Sequence, residues 1–189
     1  MAARGTLILV VGASGAGKDT LIAGARERLV GDPAFVFPRR FITRPAGSPG
    51  EDHIAVDVPT FEKMRAASAF ALAWQAHGLC YGVPASIAGD LAAGRHVVVN
   101  VSRGVVSAAR EQYHPVLAVL VTACAATLAT RLAERDREAP QEIAARLVRA
   151  GAVQALGAVH ELANDGTVAE GVDALLRILE TAPRFNPKG

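Results

Sequence analysis

Gly12, Ala13, Ser14, Gly15, Ala16, Gly17 and Lys18 stand in a row near the start of the chain, directly after the apolar run Leu7-Ile8-Leu9-Val10-Val11. The spacing G-x-x-x-x-G-K is that of a loop whose backbone N–H groups cradle phosphates while the lysine reaches the outer phosphates of a nucleoside triphosphate. Glycine supplies the backbone angles and the close approach that such a loop needs. The helix that follows adds unpaired donors and a partial positive charge at its N-terminus. In this motif the residue after the lysine is Ser or Thr, whose hydroxyl binds Mg²⁺. Here it is Asp19, with Thr20 next. A carboxylate is also a hard oxygen ligand suited to Mg²⁺, so Asp19 is the candidate metal ligand. ATP and Mg²⁺ are the cofactors these residues imply.

The other groups able to handle phosphate are arginines. Of the 20 basic residues only Lys18, Lys63 and Lys188 are lysines. Arginine binds phosphate as a rigid two-pronged fork. One cluster, Arg39, Arg40 and Arg44, lies in a Gly/Pro-rich stretch over residues 39–58 that also holds Glu51, Asp52 and His53. That stretch reads as a long irregular loop, and such loops are often functional. The second cluster is Arg131, Arg135, Arg137, Arg146 and Arg149, interleaved with Glu134, Glu138 and Glu142. A solvated helix pair laced by ion pairs accounts for the spacing. The break over residues 136–140 favours a hinged helix-loop-helix, a lid that supplies charge on closing. Asn100 and Arg103 end a buried strand and fall on the edge where parallel sheets bind ligands. The five histidines are scattered, and no Ser/His/Asp set is present. Two anion sites and a mobile cationic arm suit phosphoryl transfer, which needs positioning and charge neutralisation more than covalent chemistry.

These groups need a scaffold, and the apolar pattern supplies one. Residues 6–11, 96–101 and 116–121 are near-continuous apolar runs, the pattern of parallel strands buried on both faces. Helices are expected over residues 19–30, 60 onward with Thr60 as cap, 86–93, 105–113, 125–135 with Thr122 as cap, and 167–181 with Val168, Val172, Leu175, Leu176 and Leu179 inward. Residues 70–74 read as a strand and 77–84 as a turn-rich connection. Strands alternating with helices from a phosphate loop give an α/β P-loop fold, a parallel sheet with helices on both faces. The 189 residues fit one domain, with residues 35–95 as a substrate-binding insertion and residues 131–149 as the lid. Half the residues are apolar (51%), the net charge is +2, and neither value marks a disordered chain or a polyanion binder. Basic residues interleaved with aromatics, the mark of nucleic-acid binding, are lacking. The longest uncharged apolar run, residues 116–129, is too short for a bilayer. Cys80 and Cys124 read as reduced thiols of a cytoplasmic protein. A homodimer is compatible with all of this.

The phosphate loop, the Tyr81-Gly82 turn and the arginine lid together resemble the guanylate kinase fold. Within it, Gly15-Ala16-Gly17-Lys18-Asp19, Arg40-Phe41-Ile42-Thr43-Arg44, Glu51-Asp52-His53-Ile54-Ala55, Leu72-Ala73-Trp74, Gly78-Leu79-Cys80-Tyr81-Gly82-Val83, Val97-Val98-Val99-Asn100-Val101-Ser102-Arg103 and Asn164-Asp165-Gly166 are similar to the ribose 1,5-bisphosphate phosphokinases of phosphonate catabolism. The resemblance implies transfer of the γ-phosphoryl of ATP to the 1-phosphate of ribose 1,5-bisphosphate, giving ADP and 5-phosphoribosyl 1-diphosphate. It implies that Arg44, Tyr81 and His53 contact the acceptor, with Arg40, Asn100 and Arg103 beside them. It places Asn164 near the adenine, and Arg131 with the nucleotide. Lys18, Arg135, Arg137 and Arg146 would span donor and acceptor phosphates as the catalytic cations. Guanylate kinases read guanine with a glutamate and a hydroxyl, but residues 70–74 hold no carboxylate and Val83 stands where the hydroxyl would be. The alternatives are a guanylate kinase with an unusual base pocket and an inactive binding module of the same fold.

Overall fold

The computed structural model describes residues 4–47, 52–133 and 156–183. Five parallel strands form the main sheet: β1 (Leu7–Gly12), β2 (Phe35–Val36), β7 (His96–Asn100), β8 (Val116–Thr122) and β9 (His160–Ala163), in the order β2-β7-β1-β8-β9. Alternation along β1 builds two cores. Leu7, Leu9 and Val11 face one way, onto Ile87 and Leu91 of α3 (Ile87–Ala92) and Val106 and Ala109 of α4 (Val106–Gln112). Ile8 and Val10 face the other, onto Leu21 and Ala25 of α1 (Lys18–Arg28), Leu128 of α5 (Ala125–Ala133), and Val172, Leu175 and Leu179 of α6 (Val168–Glu180). Helices therefore cover both faces, as the continuous apolar strands require.

A second sheet joins the strand expected over residues 70–74 to residues expected to be irregular. Its strands are β3 (Arg40–Ile42), β4 (His53–Ala55), β5 (Phe70–Ala76) and β6 (Leu79–Pro84), in the order β4-β3-β6-β5. The long loop expected over residues 39–58 thus contains two strands, paired in parallel with Arg40 opposite His53. The expected turn-rich connection is instead the second arm of a hairpin. His77 and Gly78 both take positive φ (51° and 72°) at its tip, the backbone twist that two-residue hairpin turns favour. Leu72 and Val83 belong to the same apolar cluster as Leu7 and Val99, which fastens this sheet to the main one.

Helix starts also differ from expectation. The helix α2 (Val58–Ala66) is capped by Asp57, whose carboxylate accepts from Thr60 N–H at 2.7 Å. Thr60 is therefore inside the helix and not its cap. Thr122 ends β8, and the backbone N–H of Cys124, just before α5, donates to Asp165 at 2.8 Å. Thr167 and Glu170 form a reciprocal capping box at the start of α6. Val168, expected inward, is 56% exposed, because α6 turns its buried stripe through Val172, Leu175 and Leu179.

Candidate active site

Parallel register sets the site. Val10 lies opposite Asn100, and Gly12 opposite Val121, so the phosphate loop, the end of β7 and the end of β8 share one edge of the sheet. Gly12 and Gly17 have φ of 153° and 92°. A Cβ on Gly12 would stand 2.3 Å from the Val121 carbonyl oxygen, and one on Gly17 2.4 Å from the Asn164 carboxamide nitrogen. Both positions need glycine for angle and for space. Lys18 Nζ donates to the Gly12 and Ala13 carbonyls at 3.0 and 2.8 Å, so the ammonium lies against the loop. Ser14 is exposed, Gly15 and Ala16 are buried, and Thr20 is exposed on α1. Asn164 is buried and donates its carboxamide N–H to the Ala16 carbonyl at 2.7 Å. It props the loop from behind.

Arg131 reaches the same place from α5. Its Nη1 lies 3.6 Å from where a Cβ on Gly17 would be, and is buried without a hydrogen-bond partner among the described residues. An orphaned guanidinium nitrogen beside a phosphate loop calls for an anion. With the loop's glycine geometry and Lys18, it shows that the residues present fit a nucleoside triphosphate. For Mg²⁺, the fit rests on Asp19. Its carboxylate accepts from the Asn100 carboxamide at 2.6 Å, a contact that fixes its orientation at the strand end. No group of three or more His, Cys, Asp or Glu able to hold a metal occurs among the described residues. Mg²⁺ is ordinarily held by one or two carboxylates together with substrate phosphates, so one oriented carboxylate suffices.

Asn100 also ties the loop to the second sheet. Its backbone carbonyl accepts from Arg40 Nη1 at 2.7 Å. Arg40 is only 6% exposed, and its guanidinium carbon lies 5.7 Å from the Trp74 ring and 5.4 Å from the Tyr81 ring. Those rings stack at 5.3 Å and 6°. Cation–π contact and the carbonyl offset the desolvation of the charge. His53, buried opposite Arg40, has Nε2 3.4 Å from the Arg44 carbonyl oxygen, so Arg44 and His53 are neighbours beside the β3–β4 pair. Tyr81 lies opposite Ile42 on β6. Arg103 opens the 3₁₀ turn Arg103–Val105 after β7, on the same edge as Asn100.

The structure thus brings together the loop, Asp19, Asn100, Arg40, Arg131 and Asn164. Arg44, His53 and Tyr81 follow on from Arg40 on the second sheet. Arg135, Arg137, Arg146 and Arg149 lie outside the described residues, as does most of the expected lid. Trp74 was missed as a site-forming residue; its place in an apolar run gave no sign that it would stack on Tyr81 over a cation. Asp165 was missed as well. The Cys124 N–H, followed by the Thr127 hydroxyl, holds its carboxyl below the usual aspartate range, with Arg131 adding to the effect.

No family model matches the chain. Among curated proteins, it is 54% identical to the ribose 1,5-bisphosphate phosphokinase PhnN of Acidiphilium cryptum, over 95% of this chain and 94% of that protein. The chain belongs to the ribose 1,5-bisphosphate phosphokinase family. It is also 44% identical to the bifunctional ribose 1,5-bisphosphokinase-thymidine phosphorylase of Roseobacter denitrificans, over 96% of this chain and 27% of that longer protein. Among solved structures, guanylate kinase from Anaplasma phagocytophilum superposes with a TM-score of 0.68 at 16% identity, covering 94% of this chain and 86% of that one. This phosphokinase chain therefore has the guanylate-kinase-like P-loop fold that its sequence resembles.

Proposed function

We propose that the chain transfers the γ-phosphoryl group of ATP to the 1-phosphate of ribose 1,5-bisphosphate, giving ADP and 5-phospho-α-D-ribose 1-diphosphate. The observation that carries this is Asn100, which joins two anion-handling regions: its side chain holds Asp19 and its carbonyl holds Arg40. Family membership points to the acceptor. The acceptor phosphate is already anionic, so no strong general base is needed. The chain must instead hold two anions in line and screen their repulsion. Mg²⁺, when bound, neutralises charge on the transferring group. The loop amides and Lys18 hold the β- and γ-phosphates, Arg131 meets the nucleotide from α5, and Asp19 presents its carboxylate to the metal. Arg44, His53 and Tyr81 orient the acceptor. Arg135, Arg137 and Arg146 close over both phosphates from the lid. The chain works as one cytoplasmic domain, with residues 35–95 holding the acceptor and residues 131–149 the lid.

The test is product identity. ³¹P NMR of a mixture of enzyme, Mg²⁺, ATP and ribose 1,5-bisphosphate should show a new sugar diphosphate in step with ADP. In Lys18→Ala both should fall by about 10²–10³, with the circular dichroism spectrum unchanged, because Lys18 lies against the loop carbonyls of Gly12 and Ala13 and outside the two apolar cores. ADP formation without the diphosphate would count against the reading.

A further inference from the structure

A cavity of about 90 Å³ lies between α1 and the start of the second sheet, lined among others by Asp19, Asn100, Arg26, Arg39, Arg40 and Asp52. A space of that size admits several waters. One wall is the Asp19–Asn100 pair at the transfer site. Three other lining residues form an arrangement that the loop and acceptor residues above do not use. Arg39 Nη2 lies 2.9 Å from one Asp52 carboxylate oxygen, and Arg26 Nη1 lies 3.8 Å from the other. Arg26 comes from α1, Arg39 from the segment before β3, and Asp52 from the segment before β4. Arg39 Nη2 also donates to the His53 carbonyl at 2.8 Å, which anchors its guanidinium to β4.

Stability does not account for this convergence. All three side chains are about half exposed (46%, 50% and 51%), and ion pairs at such exposure contribute little. Two guanidinium groups share one carboxylate, so these three side chains together carry a net positive charge. Two arginines from different elements, aimed at one point, suit a tetrahedral dianion. The acceptor of the proposed reaction carries two phosphates. One must meet the transferred group beside Lys18 and Asp19; the other needs a cationic site within the span of one sugar.

We infer that Arg26 and Arg39, preset by Asp52, form the subsite for the second phosphate of the sugar bisphosphate, the one that is not extended. The inference rests on the proposed acceptor. Asp52 serves as a stand-in anion: it keeps the two forks converged, and the incoming dianion replaces it as their partner. An acceptor end without a dianion gives no such exchange, which makes this cluster a determinant of the acceptor's length and charge.

Ribose 5-phosphate tests the subsite without turnover, because it carries only the second phosphate. By calorimetry it should bind the wild type, bind Arg39→Gln and Arg26→Gln at least tenfold more weakly, and bind Asp52→Asn no more weakly than the wild type. In kinetics the two arginine variants should raise KM for ribose 1,5-bisphosphate at least tenfold while KM for ATP stays within twofold. Equal affinity of wild type and Arg39→Gln for ribose 5-phosphate would overturn the inference. So would an Asp52→Asn variant that loses affinity as the arginine variants do, since the three residues would then act only as a structural unit. If the wild type fails to turn over ribose 1,5-bisphosphate, the proposed reaction falls, and the calorimetry alone decides the subsite.

Discussion

At Asn100 the side chain and the backbone face different partners. The carboxamide holds Asp19 at 2.6 Å, and the carbonyl takes Arg40 Nη1 at 2.7 Å. A carboxylate standing in the metal position of a phosphate loop gains from such a partner, because a fixed orientation keeps one oxygen aimed at the ion. Replacing Asn100 by Ala keeps the backbone carbonyl and removes only the carboxamide. The Mg²⁺ concentration for half-maximal activity should then rise by about 10–100-fold, the range for loss of a partner behind a metal ligand. Mn²⁺ titration of the ADP complex by electron paramagnetic resonance should show the same loss of affinity with no catalysis involved. An unchanged metal requirement in both measurements would remove Asp19 as the ligand that Asn100 serves.

At the scale of elements, the starts of α2 and α6 are held by carboxylates, and a third carboxylate holds the N–H just before α5. Asp57 is held below the usual range by the Thr60 hydroxyl and then the Thr60 N–H, and Glu170 by the Thr167 N–H and then its hydroxyl. Asp165 is lowered by Cys124 and Thr127 across the start of α5. A carboxyl lowered in the folded state contributes stability that is complete above its unfolded pKa of about 4 and is lost as pH falls through the lower folded value. The melting temperature should be flat between about pH 7 and 5 and fall below about pH 4. Asp57→Asn and Asp165→Asn should each reduce the size of that acid fall. Variants with the same fall as the wild type would show that these caps do not titrate with folding. The helices of the main sheet were legible in the sequence, because strands buried on both faces must be continuously apolar and their connecting helices must carry an apolar stripe. Asp57 and Asp165 were not. The first sits one residue outside a Val-Pro start, and the second holds the Cys124 N–H, just before α5, from 41 residues away. The strands β3 and β4 were hidden for a different reason. They are three residues each and hold Arg40 and His53 at buried positions. The Trp74–Tyr81 stack and the Asn100 carbonyl help to make the burial of Arg40 tolerable, and neither contact can be seen along the chain.

For the whole molecule, the phosphate loop with Lys18 and Asp19 could be read from spacing alone, whereas its link to the second sheet could not. That link is three-dimensional: Leu72 and Val83 share a core with Leu7 and Val99, and Arg40 reaches Asn100 across 60 residues. The two sheets therefore bear on one edge, the edge where the proposed reaction brings donor and acceptor phosphates together. Among the described residues, no helix is long and apolar enough to cross a membrane. The fold alone, at 16% identity to a guanylate kinase, leaves the acceptor open. The residues around it separate the two acceptors, because β5 presents no carboxylate over residues 70–74 and Val83 is buried in the core. A site built to hydrogen-bond a base loses discrimination steeply when those partners are absent. The most direct test is kcat/KM for ribose 1,5-bisphosphate and for GMP, measured with the same enzyme at saturating Mg²⁺ and ATP. The predicted result is a preference of at least about 10³ for the sugar bisphosphate. Equal turnover of GMP, or turnover of GMP alone, would contradict the account.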